Sequence, residues 1–252
     1  LNIKNKINYY ATGSGNDFLR DIGGNKGEVI NIDKYICDLP VVEINGKEYR
    51  TVAVEGEAFG GRHIRSVYIP DGIRYIGPNA FARCSKLLSV QLPASVEKIG
   101  DGCFEVLEDM KSLQLSANTK EIPLKAFVKC TSLEKVDIPE GVEVLGLDAF
   151  AICTALKRVS LPSTLTSIRR GVCWRCTNLK EITIPASVKT IGEYVFFDCD
   201  SLKHVYNHAR VPQRIPRIFN TEGIILHVPH GSEELYRQAD NWNVTEVVGD
   251  LP

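Results

Sequence analysis

Apolar residues along the chain fall into columns spaced 23 residues apart. The strongest runs through Ile64, Leu87, Met110, Leu133, Leu156, Leu179 and Leu202. Three residues on stands a second column, Val67, Val90, Leu113, Val136, Val159, Ile182 and Val205. Two further on is a third, Ile69, Leu92, Leu115, Ile138, Leu161 and Ile184, with proline directly after it at 70, 93, 139, 162 and 185. Then come Ile73, Val96, Val142, Leu165 and Val188, followed by Ile76, Ile99, Ile122, Leu145, Ile168 and Ile191, with glycine next at 77, 100, 146 and 192. Phenylalanine stands at 81, 104, 127, 150 and 196, and cysteine three residues later at 84, 130, 153, 176 and 199. So many columns in one register define an internal repeat, and a period of this length signals stacked coils.

One unit is too small to bury its own apolar face, so neighbours must stack and share a continuous core. The Leu-x-x-Val-x-Ile segment alternates between inward and outward positions and predicts a short strand. Successive strands then stack as a parallel sheet, about 4.8 Å per coil. Proline after the strand ends the ladder because it has no N–H. The Val-x-x-Ile-Gly step predicts a second short extended piece and a tight turn. The expected fold is a repeat solenoid of mainly short β-strands with a parallel sheet along one face. Turns and short helical or 3-10 segments complete each coil, and both ends are capped.

Departures from the pattern carry their own expectations. Gly60-Gly61-Arg62-His63 is one residue short and has no cysteine, so the first coil is atypical, as terminal repeats are. One later unit has Leu107 for cysteine and Ser116 for proline; another has Cys173 in the phenylalanine column and Arg169 in the glycine column. Both coils are expected to bend or bulge. Residues 1–48 do not follow the repeat: Gly13, Gly15, Gly23, Gly24 and Gly27 mark loops. Asn45-Gly46, between Val42-Glu43-Ile44 and Lys47-Glu48-Tyr49, predicts a type I′ hairpin. Solenoid ends expose an unpaired edge and an open core. Residues 1–48 and 208–252 are therefore expected to cover the ends of a solenoid over 49–207, with Ser232 as N-cap of a short helix over Glu233–Ala239.

The unit Leu-x-x-Val-x-Ile-Pro-x-x-Val-x-x-Ile-Gly-x-x-Ala-Phe-x-x-Cys-x-x-Leu resembles the BspA-like leucine-rich repeat. The best copies are Ile69 to Leu87 (IPDGIRYIGPNAFARCSKL) and Ile138 to Leu156 (IPEGVEVLGLDAFAICTAL). Leu39 to Arg50 (LPVVEINGKEYR) is similar to the lead-in segment of such arrays, and Leu226 to Trp242 (LHVPHGSEELYRQADNW) to the family's closing unit. The resemblance implies a secreted or cell-surface bacterial protein engaged in adhesion and in binding host matrix proteins.

Composition removes several alternatives. The chain has 252 residues, 44% of them apolar, with 30 basic and 31 acidic side chains and a net charge of −1. That balance gives no overall drive toward nucleic acid or anionic lipid. No apolar run approaches the roughly 20 residues that span a bilayer, so no membrane insertion is expected. No signal peptide begins the sequence, and its first residue is Leu1 rather than Met, so the address is expected to lie in a missing start.

Motifs that suggest chemistry are mostly absorbed by the repeat. Cys173-Trp174-Arg175-Cys176 has redox or metal spacing, but both cysteines occupy inward columns and no second C-x-x-C completes a zinc site. Cysteines on adjacent coils lie within disulfide reach, yet their parallel side chains favour free buried thiols. His204, His208, His227 and His230 are expected to be surface histidines. Gly13-Ser14-Gly15-Asn16-Asp17-Phe18 lacks the lysine and the strand–loop–helix context of a phosphate loop. No catalytic motif appears, so no enzyme activity, metal or cofactor is expected.

What remains is the outward side of the strands, the surface on which solenoids take partners. The expected contact residues there are Tyr68, Lys135, Asp137, Arg158, Glu181, His204 and Tyr206. Trp174 and Phe197, one coil apart in an outward column with Ala82, Glu105, Val128 and Ala151, are expected to form a second, exposed aromatic contact. The partner expected is a protein or a glycan, the alternative role being a structural spacer that displays other domains.

Overall fold

Each Leu-x-x-Val-x-Ile segment forms a strand of three or four residues in the computed structural model, which describes residues 29–31, 42–44, 47–49, 53–54, 56–69, 71–242 and 244–252. Strands Ser66–Tyr68, Ser89–Gln91, Ser112–Gln114, Lys135–Asp137, Arg158–Ser160, Glu181–Ile184 and His204–Asn207 follow one another along the axis. Rung partners stand one repeat apart and run parallel: Ser89 with Ser112, Lys135 with Arg158, Glu181 with His204. The Val-x-x-Ile step forms a second parallel ladder of two-residue strands, from Ala53–Val54 through Tyr75–Ile76 to Thr190–Ile191. The whole is a parallel-strand β-solenoid of about nine turns.

The segments expected to be helical or 3-10 are turns instead. Their amides explain why. Asn79, Phe81 and Arg83 donate their N–H groups to the carbonyls of Asp101, Cys103 and Glu105 on the next coil at 2.9, 2.9 and 2.7 Å. An N–H committed to the neighbouring coil cannot close an α-helical bond within its own segment. To aim alternate amides this way, the turn carries two left-handed residues four apart, such as Asn79 and Arg83, Lys125 and Lys129, Asp148 and Ile152. Among the described residues the one helix is Glu233–Arg237.

The core is a file of buried columns. Phe59, Phe81, Phe104, Phe127 and Phe150 stack ring on ring with centroids 5.0–5.5 Å apart. Cys173 interrupts the file, which resumes with Phe196 on Phe219 at 5.8 Å. Gly146 sits where a Cβ would lie 2.6 Å from the Pro123 carbonyl carbon, so this coil closes on its neighbour without room for a side chain at 146.

Of the two coils expected to bend, the one with Arg169 and Cys173 does not. Val144, Ser167 and Thr190 pair without a shift, because buried Cys173 is small enough to take the phenylalanine position. The coil with Ser116 is different: the two-residue ladder is interrupted once, between Lys98–Ile99 and Glu121–Ile122. There Ser116, at the proline position, and Thr119, in an apolar column, are buried and bond the Ala94 and Val96 carbonyls at 3.4 Å.

At the N-terminal side Val29–Asn31 pairs in parallel with Ser66–Tyr68. Val42–Ile44 and Lys47–Tyr49 pair antiparallel with Ile44 opposite Lys47, the register of a two-residue hairpin. The Asn45-Gly46 turn and residues 1–28 lie outside the described residues. Beyond Asn207 the parallel stack continues through Ile225–Pro229 and Glu246–Leu251. Tyr236 and Trp242 are buried here, the indole bonding the Gln213 carbonyl at 3.0 Å and the phenol the Ala209 carbonyl at 2.7 Å. The helix ends at Arg237 rather than Ala239, and Ser232 makes no side-chain cap. At φ −97°, ψ −5° Ser232 is already helical, whereas a capping serine adopts extended backbone.

Candidate functional site on the sheet face

Strand alternation sends every second side chain outward. Tyr68, Gln91, Gln114, Lys135, Asp137, Arg158 and Glu181 are exposed, while Val90, Val136, Val159 and Ile182 between them are buried. His204 and Tyr206 differ: both are half-buried, because residues from the next two strands close over them.

Those residues are His227 and Asp250. Asp250 Oδ2 lies 2.8 Å from His227 Nδ1, and His227 Nε2 lies 3.0 Å from His204 Nδ1. A carboxylate only accepts, so His227 donates from Nδ1, while the bond between its Nε2 and His204 Nδ1 takes its direction from the ring tautomers. His204 Nε2 is the outer end of this relay. Tyr206 stacks on His227 with centroids 4.4 Å apart at 20°. A register shift beside His227 and Pro229, where the last strand carries one extra residue, accompanies the placement of Asp250, as bulges re-aim side chains. This cluster unites His204 and Tyr206. Tyr68, Lys135, Asp137, Arg158 and Glu181 remain spread along the face, one or two to a rung.

His227 and Asp250 were absent from the expected contact set, because the last two strands pair at a 21-residue step, Tyr206 with His227 and His227 with Val248, and leave the 23-residue register of the earlier coils. His230 is the exposed one, 4.0 Å from Glu233.

Trp174 and Phe197 are half-buried rather than exposed, since their column faces neighbouring turns and Ala82, Val128 and Ala151 in it are buried. Arg175 lies over the Trp174 ring at 5.8 Å and Arg217 over Phe197 at 5.2 Å. Trp174 also borders a shallow groove of about 360 Å³ lined by Val106, Val128, Ile152, Arg83, Lys125 and Lys129 among others.

The cysteine column has a bonding role. Cys84, Cys130, Cys153, Cys176 and Cys199 donate S–H to carbonyls of the preceding coil at 3.0–3.4 Å. The seven described cysteines are free and buried. Burial pushes the Cys84 thiol up to about 11 and raises Cys103, Cys153, Cys176 and Cys199 as well, so none of these five supplies a thiolate near neutral pH. Among the described residues no group of three histidine, cysteine or acidic side chains could hold a metal ion, and no helix is long and apolar enough to cross a membrane.

No curated protein matches the chain in sequence. Among solved structures it is similar to a leucine-rich repeat protein of T. pallidum, at 25% identity over 81% of this chain and 76% of that one, with a TM-score of 0.51. It also shares its fold with a leucine-rich cell surface protein of Faecalibacterium prausnitzii, at 23% identity and a TM-score of 0.62, covering 90% of this chain but 66% of that one. The model of the BspA type leucine rich repeat region matches in six copies over residues 52–176 and 120–220, and the chain belongs to that family.

Proposed function

We propose that the chain is a non-catalytic binding module of a secreted or cell-surface protein, taking a protein or glycan partner on the outward side of its longer-stranded sheet. The observation that carries this reading is the cluster of His204, Tyr206, His227 and Asp250. It concentrates aromatic surface and the outer imidazole edge of His204 on a face otherwise solvated, and such anchors dominate binding energy. Arg158 and Glu181, on the preceding rungs, extend the contact, and Tyr68, Lys135 and Asp137 border it along the face. The terminal segments 1–48 and 208–252 serve as covers for the solenoid. A surface location fits both the family and the leucine-rich cell surface protein that shares the fold.

Screening the chain against host matrix proteins and a glycan array tests the proposal. A partner should be retained whose affinity falls at least tenfold on Tyr206→Ala and several-fold on Arg158→Ala. A ligand bound equally by both variants, or none at all, would instead favour the spacer role.

A further inference from the structure

A second surface, on the turn side of the last coils, is chemically distinct from the sheet face. Three arginines there lie over aromatic rings: Arg175 over Trp174 at 5.8 Å, Arg170 over Tyr194 at 5.6 Å and Arg217 over Phe197 at 5.2 Å. Tyr194 meets Phe197 edge-on at 4.8 Å and 78°, so the aromatic platforms brace one another. All three arginines are exposed, and none has a carboxylate within 4.0 Å among the described residues. Arg74, Arg83, Arg169 and Arg237, by comparison, each have an acidic neighbour. The charge is local. Residues 165–220 hold nine basic and four acidic side chains in a chain of net charge −1.

Tyr194 fills the left-handed turn slot that Asn79, Gly102, Lys125, Asp148 and Gly171 fill on other coils, and so places an aromatic ring where those coils carry none.

We propose that this ridge binds a linear sulfated polysaccharide. Each exposed guanidinium presents a fork of N–H donors that matches the oxygens of a sulfate in two-point contact. Arg170 and Arg175 stand on one coil and Arg217 two coils on, about 10 Å along the axis, so the ligand must present its anions in series. The groove beside Trp174 continues the track with Arg83, Lys125 and Lys129, while Glu105 and Asp148 on its wall oppose an anion. Asp198, bonded to Asn220 at 2.7 Å, and exposed Glu193 make the ridge selective for a ligand whose charges meet the forks.

Heparin is the probe, measured by titration calorimetry and by elution from a heparin column in a salt gradient. The chain should bind, with affinity falling linearly in log–log form as salt rises. Joint replacement Arg170→Ala, Arg175→Ala and Arg217→Ala should weaken binding at least tenfold, and the corresponding lysine replacements several-fold. Tyr194→Gly, which suits the left-handed backbone, should weaken it without loss of folding by circular dichroism. Tyr206→Ala should leave heparin binding unchanged, so failure here is separable from failure of the sheet-face reading. Absence of binding, full binding by the alanine or the lysine triple variant, or equal affinity for polyglutamate, single-stranded DNA or phosphatidylserine vesicles would overturn the proposal.

Discussion

Val106 and Ile152 hold φ +58° and +62°, which β-branched side chains seldom adopt. Their positions are set by the turn: the same slot is filled by Arg83, Lys129 and Arg175 on other coils, all with φ near 60°. Left-handed backbone costs such residues about 1–2 kcal/mol each, while asparagine visits the region readily. Val106→Asn should therefore raise stability by about 1 kcal/mol, visible as a higher midpoint in thermal unfolding. A lower midpoint would mean that the half-buried valine contributes more by packing than its backbone costs.

At the scale of one coil, strands and turns are held by different rules. Strands follow from alternation and were legible in the columns, as were the buried cysteines. The turns were not. Their sequence has the length and apolar content of a short helix, and only the stacked neighbour reveals that alternate N–H groups point across to the next coil. That contact is non-local, so no window of the sequence displays it. The His204, His227 and Asp250 relay was not legible in the period, because the last two strands pair 21 residues apart and a bulge precedes Leu251. Glycine in the tight step is the counterpart that the pattern did show. Gly146→Ala should cost about 1–3 kcal/mol, since the added carbon meets backbone rather than a movable side chain. Chemical denaturation reads the loss, and an unchanged midpoint would show that the coil can open to admit a methyl group.

For the whole molecule, the buried thiols act together. An unfolded cysteine titrates near 9.0, whereas in the folded chain Cys84 does so at about 11 and four others are raised too. Below pH 9 both states hold their protons. Above it the unfolded state releases them first, so stability falls as pH rises from 9 toward 11 and beyond, by about 1.4 kcal/mol per pH unit for each thiol involved. Melting temperatures should drop steeply over that window, and a flat profile would contradict the burial of the column. The phenylalanine file has a further consequence, because an array of stacked units behaves as a one-dimensional chain of couplings and yields where a coupling is weakest. The file breaks at Cys173, between Phe150 and Phe196. Under load or mild denaturant the protein should part there into two cooperative blocks, and hydrogen exchange should show a step in protection between residues 150 and 196 rather than a smooth gradient.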